Sequence, residues 1–416
     1  MQNCNIMSSS KDRVEAQRFI KNLSGKTKFV ISKNSHAIGL SRQTYQNKLD
    51  NLRNQKIITN FTININPNIR PDNLKYVMIE IKTNPKEPEL VEELLEIPQL
   101  RMLDGIFGDF SLFALFIFKS PEEYYQILNN IDKIMSKSYF KKYQIIETIK
   151  VFKTNGISLR DSKISFTLGK KINLKEIAKN SANIEYNPQK FPGLVMKIED
   201  PHATILIFST GKIVITEFRK EIGAKQLIDK VAQEIRKTGI QLEKKISQNF
   251  YIDEIDYLIL KILQDDQGLR PISTYEIKDL LNEKYRMTLK SLNKDDISQS
   301  TIHNRIKKLE QQAAILNYTV NFCPKKIGFE GKYLLRIKPK DPSKYNELAI
   351  KLDMHKNITD LFRIGEQYGL FAIVRVEKVE DFASFIKDLY SSEEIEDTYT
   401  CFVLDELKPY TNFILF

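Results

Sequence analysis

The chain has 416 residues and a formal net charge of +11, which favours nucleic acid as a partner, although a lysine-rich composition alone gives the same excess. This length predicts several domains, and because no apolar run approaches roughly 20 residues and no signal peptide is recognised, we expect no membrane-spanning segment. Three widely separated cysteines exclude a disulfide framework and favour a reducing, cytoplasmic location.

A helical pattern near the start of the chain occurs again near its end. Residues 40–52 match residues 297–309 without a gap, and the shared apolar positions recur at spacings of three and four. Such spacings place the apolar side chains on one face of a helix. Ser41 and Ser298 stand where the N-caps of these two helices are expected.

Two further helices are predicted before each of these segments, which makes two helix-turn-helix units of three helices each. Gly39 stands at a C-cap-like position in the first unit, and Ser273 with Glu276 forms a capping box in the second. The additional helices are predicted at 13–23 and 32–38 in the first unit and at 253–264 and 273–285 in the second. A polar stretch at 286–296 separates the last two helices of the second unit.

Each unit is followed by a strand–helix–strand–strand–helix–strand pattern, which is the order of a ferredoxin-like sheet with two helices on one face. The first set is predicted at 76–81, 88–95, 100–103, 112–118, 121–135 and 144–152. The second set is predicted at 333–337, 345–352, 358–363, 370–376, 380–389 and 398–404. A turn with two glycines joins the second and third strands in both sets, with Gly105 and Gly108 in the first and Gly365 and Gly369 in the second.

This combination of domains resembles the Lrp/AsnC family of transcription regulators. The front copy covers about 11–152, and the back copy covers about 251–408. The resemblance implies dimerisation through the sheets and an amino-acid-like effector near the glycine turn, at Gly105, Gly108 and Asp109. The back copy has Leu370 where the acid would stand, so we expect an effector in the front copy only. A tight turn that needs positive φ is the alternative explanation of the glycines.

The resemblance also implies DNA recognition by exposed polar residues on the third helix of each unit. Arginine can pair with guanine and asparagine or glutamine with adenine, while hydroxyls and lysine hold phosphates. The candidates are Ser41, Arg42, Gln43, Thr44, Gln46, Asn47 and Lys48 in front and Ser298, Gln299, Ser300, Thr301, Asn304 and Arg305 in the back copy. A winged-helix fold that contacts protein instead of DNA is the alternative.

Between the copies, residues 185–193 and 207–216 resemble one half of a TATA-binding protein, a family that carries this unit twice in tandem. The resemblance spans about 161–240 and implies a sheet that lies on the minor groove and wedges two phenylalanines into a base step. The matching residues are the wedges Phe191 and Phe208, the phosphate contacts Lys190, Lys197 and Lys212, and the groove contacts Val214 and Thr216. A packed core is the alternative environment for the two phenylalanines.

Two residues depart from the TATA-binding pattern at the groove-reading edge. Asp161 stands where the family has an asparagine that donates to base acceptors, and Lys163 replaces a small apolar residue. Because a carboxylate repels base acceptors and phosphates, these changes argue against selective reading of a TATA sequence. A single half-repeat also lacks its other half, which a second chain could supply, while the flanking copies could pair inside one chain.

We therefore predict an α+β multidomain protein that acts as a DNA-binding transcription factor at promoters, in an archaeon-like system. The expected domains are helix-turn-helix units at 11–60 and 251–323, ferredoxin-like domains at 70–155 and 326–410, and the TATA-binding-like half-repeat at 160–242. The expected partners are double-stranded DNA, basal transcription factors and an amino-acid-like effector, in a homodimer or larger assembly associated with the nucleoid. We expect no enzyme activity, catalytic residue, metal or cofactor. The alternative is a scaffold that docks the basal machinery and senses an effector without reading DNA.

Overall fold

The computed structural model describes residues 10–69, 73–159, 164–167, 173–179, 184–188, 193–199, 203–209, 212–216, 233, 252–294 and 296–415. They belong to two compact units. The larger unit combines Met1–Leu159 with Ile252–Phe416, and the smaller unit is Arg160–Tyr251. The front and back copies thus lie together in one unit, while the segment between them in sequence forms the other.

The front copy begins with three helices and continues into strands and two further helices. In chain order these are α1 (Ser10–Leu23), α2 (Ile31–Ala37), α3 (Arg42–Asn54), β1 (Ile58–Ile65), β2 (Lys75–Lys82), α4 (Pro88–Leu95), β3 (Leu100–Ile106), β4 (Leu112–Phe118), α5 (Pro121–Met135), β5 (Lys142–Thr154) and β6 (Ile157–Ser158). The Ser41 hydroxyl accepts a hydrogen bond from the Thr44 amide, so the predicted N-cap of α3 is confirmed. Strand β1 was not predicted.

The smaller unit contains a five-stranded antiparallel sheet. Its elements are β7 (Ile164–Thr167), α6 (Leu174–Lys179), β8 (Ile184–Glu185), β9 (Gly193–Ile198), β10 (Ala203–Phe208) and β11 (Lys212–Thr216). The strands lie in the order β7-β11-β10-β9-β8. The long helix predicted after β11 lies outside the described residues, apart from Gln233.

The back copy repeats the order of the front copy. Its elements are α7 (Glu254–Asp265), α8 (Thr274–Lys284), α9 (Arg286–Ser291), α10 (Gln299–Gln311), β12 (Ile315–Phe322), β13 (Gly331–Pro339), α11 (Tyr345–Asp353), β14 (Ile358–Ile364), β15 (Leu370–Val376), α12 (Asp381–Ser391) and β16 (Ile395–Lys408). The predicted capping box of Ser273 and Glu276 and the predicted N-cap Ser298 are both present. The stretch at 286–296 is not only a polar connection, because α9 buries Leu289 in the helical core.

Two sheets join the front copy to the back copy. Strands β1 and β12 pair with each other as an antiparallel ribbon, and a helix-turn-helix core packs at each end of it. The other sheet runs in the order β14-β15-β13-β16-β3-β4-β2-β5, and a further pairing of β5 with β14 closes it. Within it each copy keeps the ferredoxin-like strand order, and the copies meet at the β16–β3 and β5–β14 pairings.

The closed sheet separates three layers of apolar side chains. An inner cluster, which includes Phe113, Phe362 and Phe371, draws residues from both copies. Two outer clusters lie between the strands and the helices, with α4 and α5 on the front copy and α11 and α12 on the back copy. The inner layer is therefore the interface between the copies, and alternation along each strand divides its residues between the inner and outer layers.

Candidate nucleic-acid interface

The recognition helix of the front copy, α3, buries one face and exposes the other. Tyr45, Leu49 and Leu52 pack into the helical core. The opposite face carries predicted candidates whose side chains are exposed. These are Ser41, Arg42, Gln43, Thr44 and Asn47. The Gln43 amide donates to Asn47 Oδ1 at 3.0 Å, so two side chains of the type that can pair with adenine lie side by side on the surface.

Two other front candidates are engaged within the protein. Gln46 Nε2 donates to both carboxylate oxygens of Asp50 at 2.9 Å. Lys48 forms an ion pair with Glu15 of α1, in which the Glu15 side chain is exposed and the Lys48 side chain is half-exposed. An exposed pair of this kind exchanges readily with solvent or phosphate, because its strength is low.

The recognition helix of the back copy, α10, has the same division. Ile302 and Leu309 are buried in the helical core. The candidates Ser298, Ser300, Thr301 and Asn304 are exposed. Gln299 is half-buried, and its Nε2 donates to Thr274 Oγ1 at 2.8 Å, which ties the start of α10 to α8.

Arg305 has a structural role in the described conformation. Its Nη1 lies 2.7 Å from Asp253 Oδ1 and 2.7 Å from Asp256 Oδ1, and the Asp256 side chain is fully buried. Burial would raise the pKa of Asp253, but the hydrogen bond from Arg305 holds it below its usual value. Arg305 thereby fastens α10 to the N-terminus of α7, and its guanidinium is directed into the protein.

Lys307 was not among the predicted candidates, but its side chain is exposed on α10. Helical spacing places it on the same side as Ser300, His303 and Asn304, since these positions differ by three, four and seven residues. The signal that could have found it is this spacing, counted from the exposed residues at the start of the helix. The back recognition face therefore carries a cation at its C-terminal end.

The sheet of the smaller unit has one closed face and one more open face. Leu194, Met196, Ile205 and Ile207 are buried, together with Leu174 and Ile177 of α6. The alternate residues of β9 and β10 are less buried. These are Val195, Lys197, Leu206 and Phe208, whereas Thr204 on the same face is buried. The arrangement leaves a partly exposed apolar face with a lysine on it, which is the type of surface that minor-groove binding requires.

The predicted wedge and phosphate residues are only partly within the described chain. Phe208 ends β10, where it lies opposite Gly193, and its side chain is half-buried. Lys197 is exposed, with its Nζ 4.0 Å from Glu185 Oε1. Val214 and Thr216 are paired in the backbone register with Leu206 and Thr204, and Lys212 begins the same strand. Lys190, Phe191, Asp161 and Lys163 lie outside the described residues.

The glycine turns of the two copies differ in what surrounds them. In front, Gly105 is within β3, Gly108 has a φ of +150°, and Asp109 is exposed. In the back copy, Gly369 has a φ of +77° and lies beneath Tyr345 and Arg363. The guanidinium of Arg363 stacks 3.4 Å above the Tyr345 ring. The back turn is filled by side chains of its own copy, whereas Gly105 and Gly108 of the front turn lie beside Asp405 and Tyr399 with room for a Cβ.

The described residues contain neither a candidate metal-ion site nor a candidate membrane-spanning helix. Over the described ranges, no cluster of three or more histidine, cysteine, aspartate and glutamate side chains has a geometry that could hold a metal ion. No helix within those ranges is both long and apolar enough to cross a membrane.

Two family descriptions match separate parts of this chain. The one described as transcription factor TFIID, or TATA-binding protein, matches residues 158–238. The one described as the Lrp/AsnC ligand binding domain matches residues 333–413. Each match falls on a region whose structure is given above, the first in the smaller unit and the second in the back copy.

Individual relatives divide between the same two groups. The HTH-type transcriptional regulator FL11 of Pyrococcus abyssi is 31% identical over 160 residues, which are 38% of this chain and 94% of the regulator. The TATA-box-binding protein of the same organism is 35% identical over 89 residues, which are 21% of this chain and 47% of that protein. This chain thus spans nearly all of the regulator but about half the length of the TATA-box-binding protein.

Solved structures resemble the chain more distantly. The crystal structure of the siroheme decarboxylase NirDL covers 98% of this chain and 94% of its own, at 9% identity and a TM-score of 0.46. Escherichia coli AsnC covers 38% of this chain and 94% of its own, at 22% identity and a TM-score of 0.27. Neither similarity is high enough to carry an inference about function.

Proposed function

This chain belongs to the Lrp/AsnC family of helix-turn-helix transcriptional regulators, and we propose that it binds double-stranded DNA through both helix-turn-helix units and through its TATA-binding-like sheet. The observation that carries the proposal is the division of both recognition helices. One face is buried, and the other exposes hydroxyl, amide and cationic side chains. That face has the chemistry of base and phosphate recognition.

The middle sheet is proposed to bend DNA from the minor groove. Phe208 on the more open face would enter a base step together with Phe191, and Lys197 would contact phosphate. Unstacking one step costs a few kcal/mol, which the surface wrapped against the bent duplex offsets. The altered residues Asp161 and Lys163 fit a module that bends DNA without selecting a TATA sequence.

DNA recognition by α3 is tested by measuring the affinity of the full chain for a pool of random-sequence 40-base-pair duplexes. Arg42→Ala is expected to weaken binding about tenfold, because one base or phosphate contact contributes about 1–3 kcal/mol. Lys137→Ala is the control, since it removes an equal charge that is exposed at the end of α5. Equal affinities of the two variants would contradict the assignment of α3 as a recognition helix.

The wedge is tested by measuring the end-to-end distance of labelled duplexes by energy transfer. The double variant Phe191→Ala and Phe208→Ala is expected to abolish bending while leaving helix-turn-helix binding in place. Thermal unfolding of the same variant separates this outcome from the packed-core alternative, in which the unfolding midpoint falls. Unchanged bending would contradict the wedge. A weak dependence of affinity on salt would favour the scaffold that docks basal factors without reading DNA.

An amino-acid-like effector is proposed for the front glycine turn, at Gly105, Gly108 and Asp109. The exposed carboxylate of Asp109 supports this assignment, since a carboxylate is the partner that a ligand ammonium requires. Titration of the 20 amino acids into the full chain, and into the Asp109→Asn variant, tests it by calorimetry.

The domain boundaries and the homodimer formed through half-repeats also stay predictions.

A further inference from the structure

The two copies meet across an approximate two-fold axis inside the closed sheet. Glu80 lies opposite Phe113 in the β2–β4 register, and Arg336 lies opposite Phe371 in the β13–β15 register. Because these strands hold the same place in each copy, Glu80 corresponds to Arg336 and Phe113 to Phe371. The rings of Phe113 and Phe371 stack with their centroids 5.3 Å apart. Corresponding residues therefore contact each other, as they do at the axis of a symmetric dimer.

At this axis the two copies carry opposite charges. Arg336 Nη2 lies 2.9 Å from Glu80 Oε2, and both residues are buried. Glu366 of the back copy accepts a second hydrogen bond from Arg336 Nε at 2.5 Å. Burial alone would lower the pKa of Arg336, but the two carboxylates raise it. In a symmetric dimer, the residue at this position would face the same residue of the partner. Here a front residue faces a back residue instead, and the two form an ion pair.

A second contact is asymmetric in the same way. Lys332 Nζ lies 2.6 Å from Asp104 Oδ2, with both residues buried. Lys332 stands four residues before Arg336, as Tyr76 stands four residues before Glu80, so Lys332 corresponds to Tyr76. Asp104 lies opposite Phe113 and Phe362 lies opposite Phe371, so Asp104 corresponds to Phe362. The corresponding contact is therefore that of Tyr76 with Phe362, an aromatic pair with centroids 5.6 Å apart.

Pairing of identical copies would break these contacts. A front–front pair would place Glu80 against a second Glu80, and a back–back pair would place Arg336 against a second Arg336. A back–back pair would also replace Asp104 beside Lys332 with Phe362, so that Lys332 would keep Glu406 of its own copy but lose the Asp104 carboxylate. Leaving a buried charge without its partner costs about 3–5 kcal/mol, so each such pairing is strongly disfavoured relative to the front–back pair.

We propose that these buried charges commit the front copy of a chain to a back copy, so that two unlike recognition helices form one fixed pair that reads an asymmetric DNA site. The DNA part of this inference rests on the proposed function. At corresponding positions the front helix has the exposed Arg42 and Gln43, where the back helix has the half-buried Gln299 and the exposed Ser300. Symmetric dimers of helix-turn-helix proteins read two like half-sites, and an unlike pair calls for two unlike half-sites.

The pairing is tested with charge reversals in the full chain. Glu80→Arg and Arg336→Glu each place like charges at the axis, and each is expected to lower the unfolding midpoint by about 5–15 °C. The double variant restores the pair in reverse and is expected to unfold above the less stable single variant. The cost of placing a carboxylate beside Glu366 is common to Arg336→Glu and the double variant, so it cancels in their comparison. Losses that simply add in the double variant would overturn the proposal.

A second arm covers single variants that fail to fold alone. When Glu80→Arg and Arg336→Glu chains with different tags are refolded together, each front copy can pair with the other chain's back copy. That exchange restores both ion pairs, so the two tags are expected to copurify more than two wild-type chains carrying the same tags. Copurification no higher than in the wild-type control would overturn the proposal.

The site symmetry is tested by selecting duplexes from the random pool and then building palindromes from each half of the selected sequence. The asymmetric site is expected to bind at least about tenfold more tightly than either palindrome, since each mismatched base pair costs about 1–3 kcal/mol. A palindrome that binds as tightly would overturn the asymmetric site alone. Failure to bind any duplex would overturn the proposed function, and the charge reversals would then decide the pairing by themselves.

Discussion

The ribbon and the closed sheet both join the front copy to the back copy, but the ribbon does so with like residues. Thr62 lies opposite Thr319, and both occupy the fifth position of their strands. Asn64 donates to Asn317 at 2.8 Å, and Asn321 donates to Asn60 at 3.1 Å in the corresponding contact. The ribbon would therefore join two identical copies as well as it joins front to back.

The closed sheet uses the same approximate symmetry with unlike residues. Glu80 meets Arg336, and Lys332 meets Asp104 where the other side has two aromatic rings. Backbone pairing is equivalent on the two sides, so the sheet alone does not select a partner. The buried side chains of opposite charge select the pairing partner, because only the front–back arrangement offsets the free-energy cost of their desolvation. Backbone pairing therefore connects the copies, and the buried charges determine which copies pair.

The largest effect is expected from breaking the Lys332 contact. Lys332→Met would leave the buried carboxylates of Asp104 and Glu406 with Arg375 as their remaining cation, at a cost of about 3–5 kcal/mol. Tyr76→Met introduces the same residue at the corresponding front position. It is expected to cost about 1–2 kcal/mol, because it changes packing against Phe362 without uncovering a charge.

Urea unfolding of both methionine variants measures this difference. Equal losses would mean that the charged contact contributes no more than the aromatic one, and the closed sheet would then lose its selective role.

The next effect is a pH dependence that arises from the same cluster. Burial raises the pKa of Asp104 from 3.8 to about 6, although Lys332 opposes the shift. Because the folded state holds the proton more tightly than the unfolded chain, the stability that this group contributes is complete below about pH 4 and is lost as pH rises to about 6. Asp104→Asn removes this dependence. Its stability relative to wild type is therefore expected to improve by about 1–3 kcal/mol between pH 4 and 6.

Glu406 gives the opposite slope. Burial disfavours its charge, but Arg375 and Lys332 hold its pKa well below the usual range. Its contribution is present above the pKa of an unfolded glutamate and is lost as pH falls. Unfolding free energies at pH 4, 5, 6 and 7 for wild type and Asp104→Asn separate the two groups. A relative stability of the variant that stays constant, or declines, as pH rises would refute the assignment to Asp104.

Unlike residues at corresponding positions also occur in the recognition helices. Lys48 and Arg305 match in the repeat, but Lys48 pairs with Glu15 at the surface, whereas Arg305 pairs with the fully buried Asp256. Arg305→Ala is expected to cost about 2–3 kcal/mol, since it leaves Asp256 with Lys308 alone among its cations. Lys48→Ala is expected to cost less than about 0.5 kcal/mol. Thermal unfolding of the two variants measures both losses of stability. Similar losses would mean that the Arg305 ion pair contributes no more than a surface ion pair.

Local sequence patterns predicted much of the secondary structure. The N-caps Ser41 and Ser298 and the capping box at Ser273 are formed by neighbours within three residues, so short-range chemistry suffices to predict them. Alternating apolar residues likewise predicted most strands of the closed sheet. Strands β1 and β12 were missed, because each finds its partner about 257 residues away.

Pairing of the two copies inside one chain was an expectation from the sequence, but the buried charges at their interface could not be predicted, for the same reason. Lys332, Arg336 and Arg375 stand in apolar strands, where a charged residue usually indicates a solvent-facing side. Their burial depends on carboxylates that a different part of the chain supplies, and Asp104 and Glu80 come from the other copy. Of the proposed DNA contacts, the exposed faces of α3 and α10 followed from helical spacing. The inward turn of Arg305 did not, because it depends on the buried Asp256.

The smallest effect belongs to the ribbon and tests its symmetry. Thr62 Oγ1 donates to the Gln264 carbonyl at 2.9 Å, and Thr319 Oγ1 lies 2.7 Å from Ser24 Oγ, so each threonine ties the ribbon to the helical part of the other copy. Thr62→Val and Thr319→Val preserve shape and remove one hydrogen bond each, so each is expected to cost about 1 kcal/mol. Because each variant removes one hydroxyl hydrogen bond between the copies, the two losses should agree within about 0.5 kcal/mol by urea unfolding, although one partner is a backbone carbonyl and the other a hydroxyl. A clear inequality would show that the ribbon, too, distinguishes front from back, and selection would then not belong to the closed sheet alone.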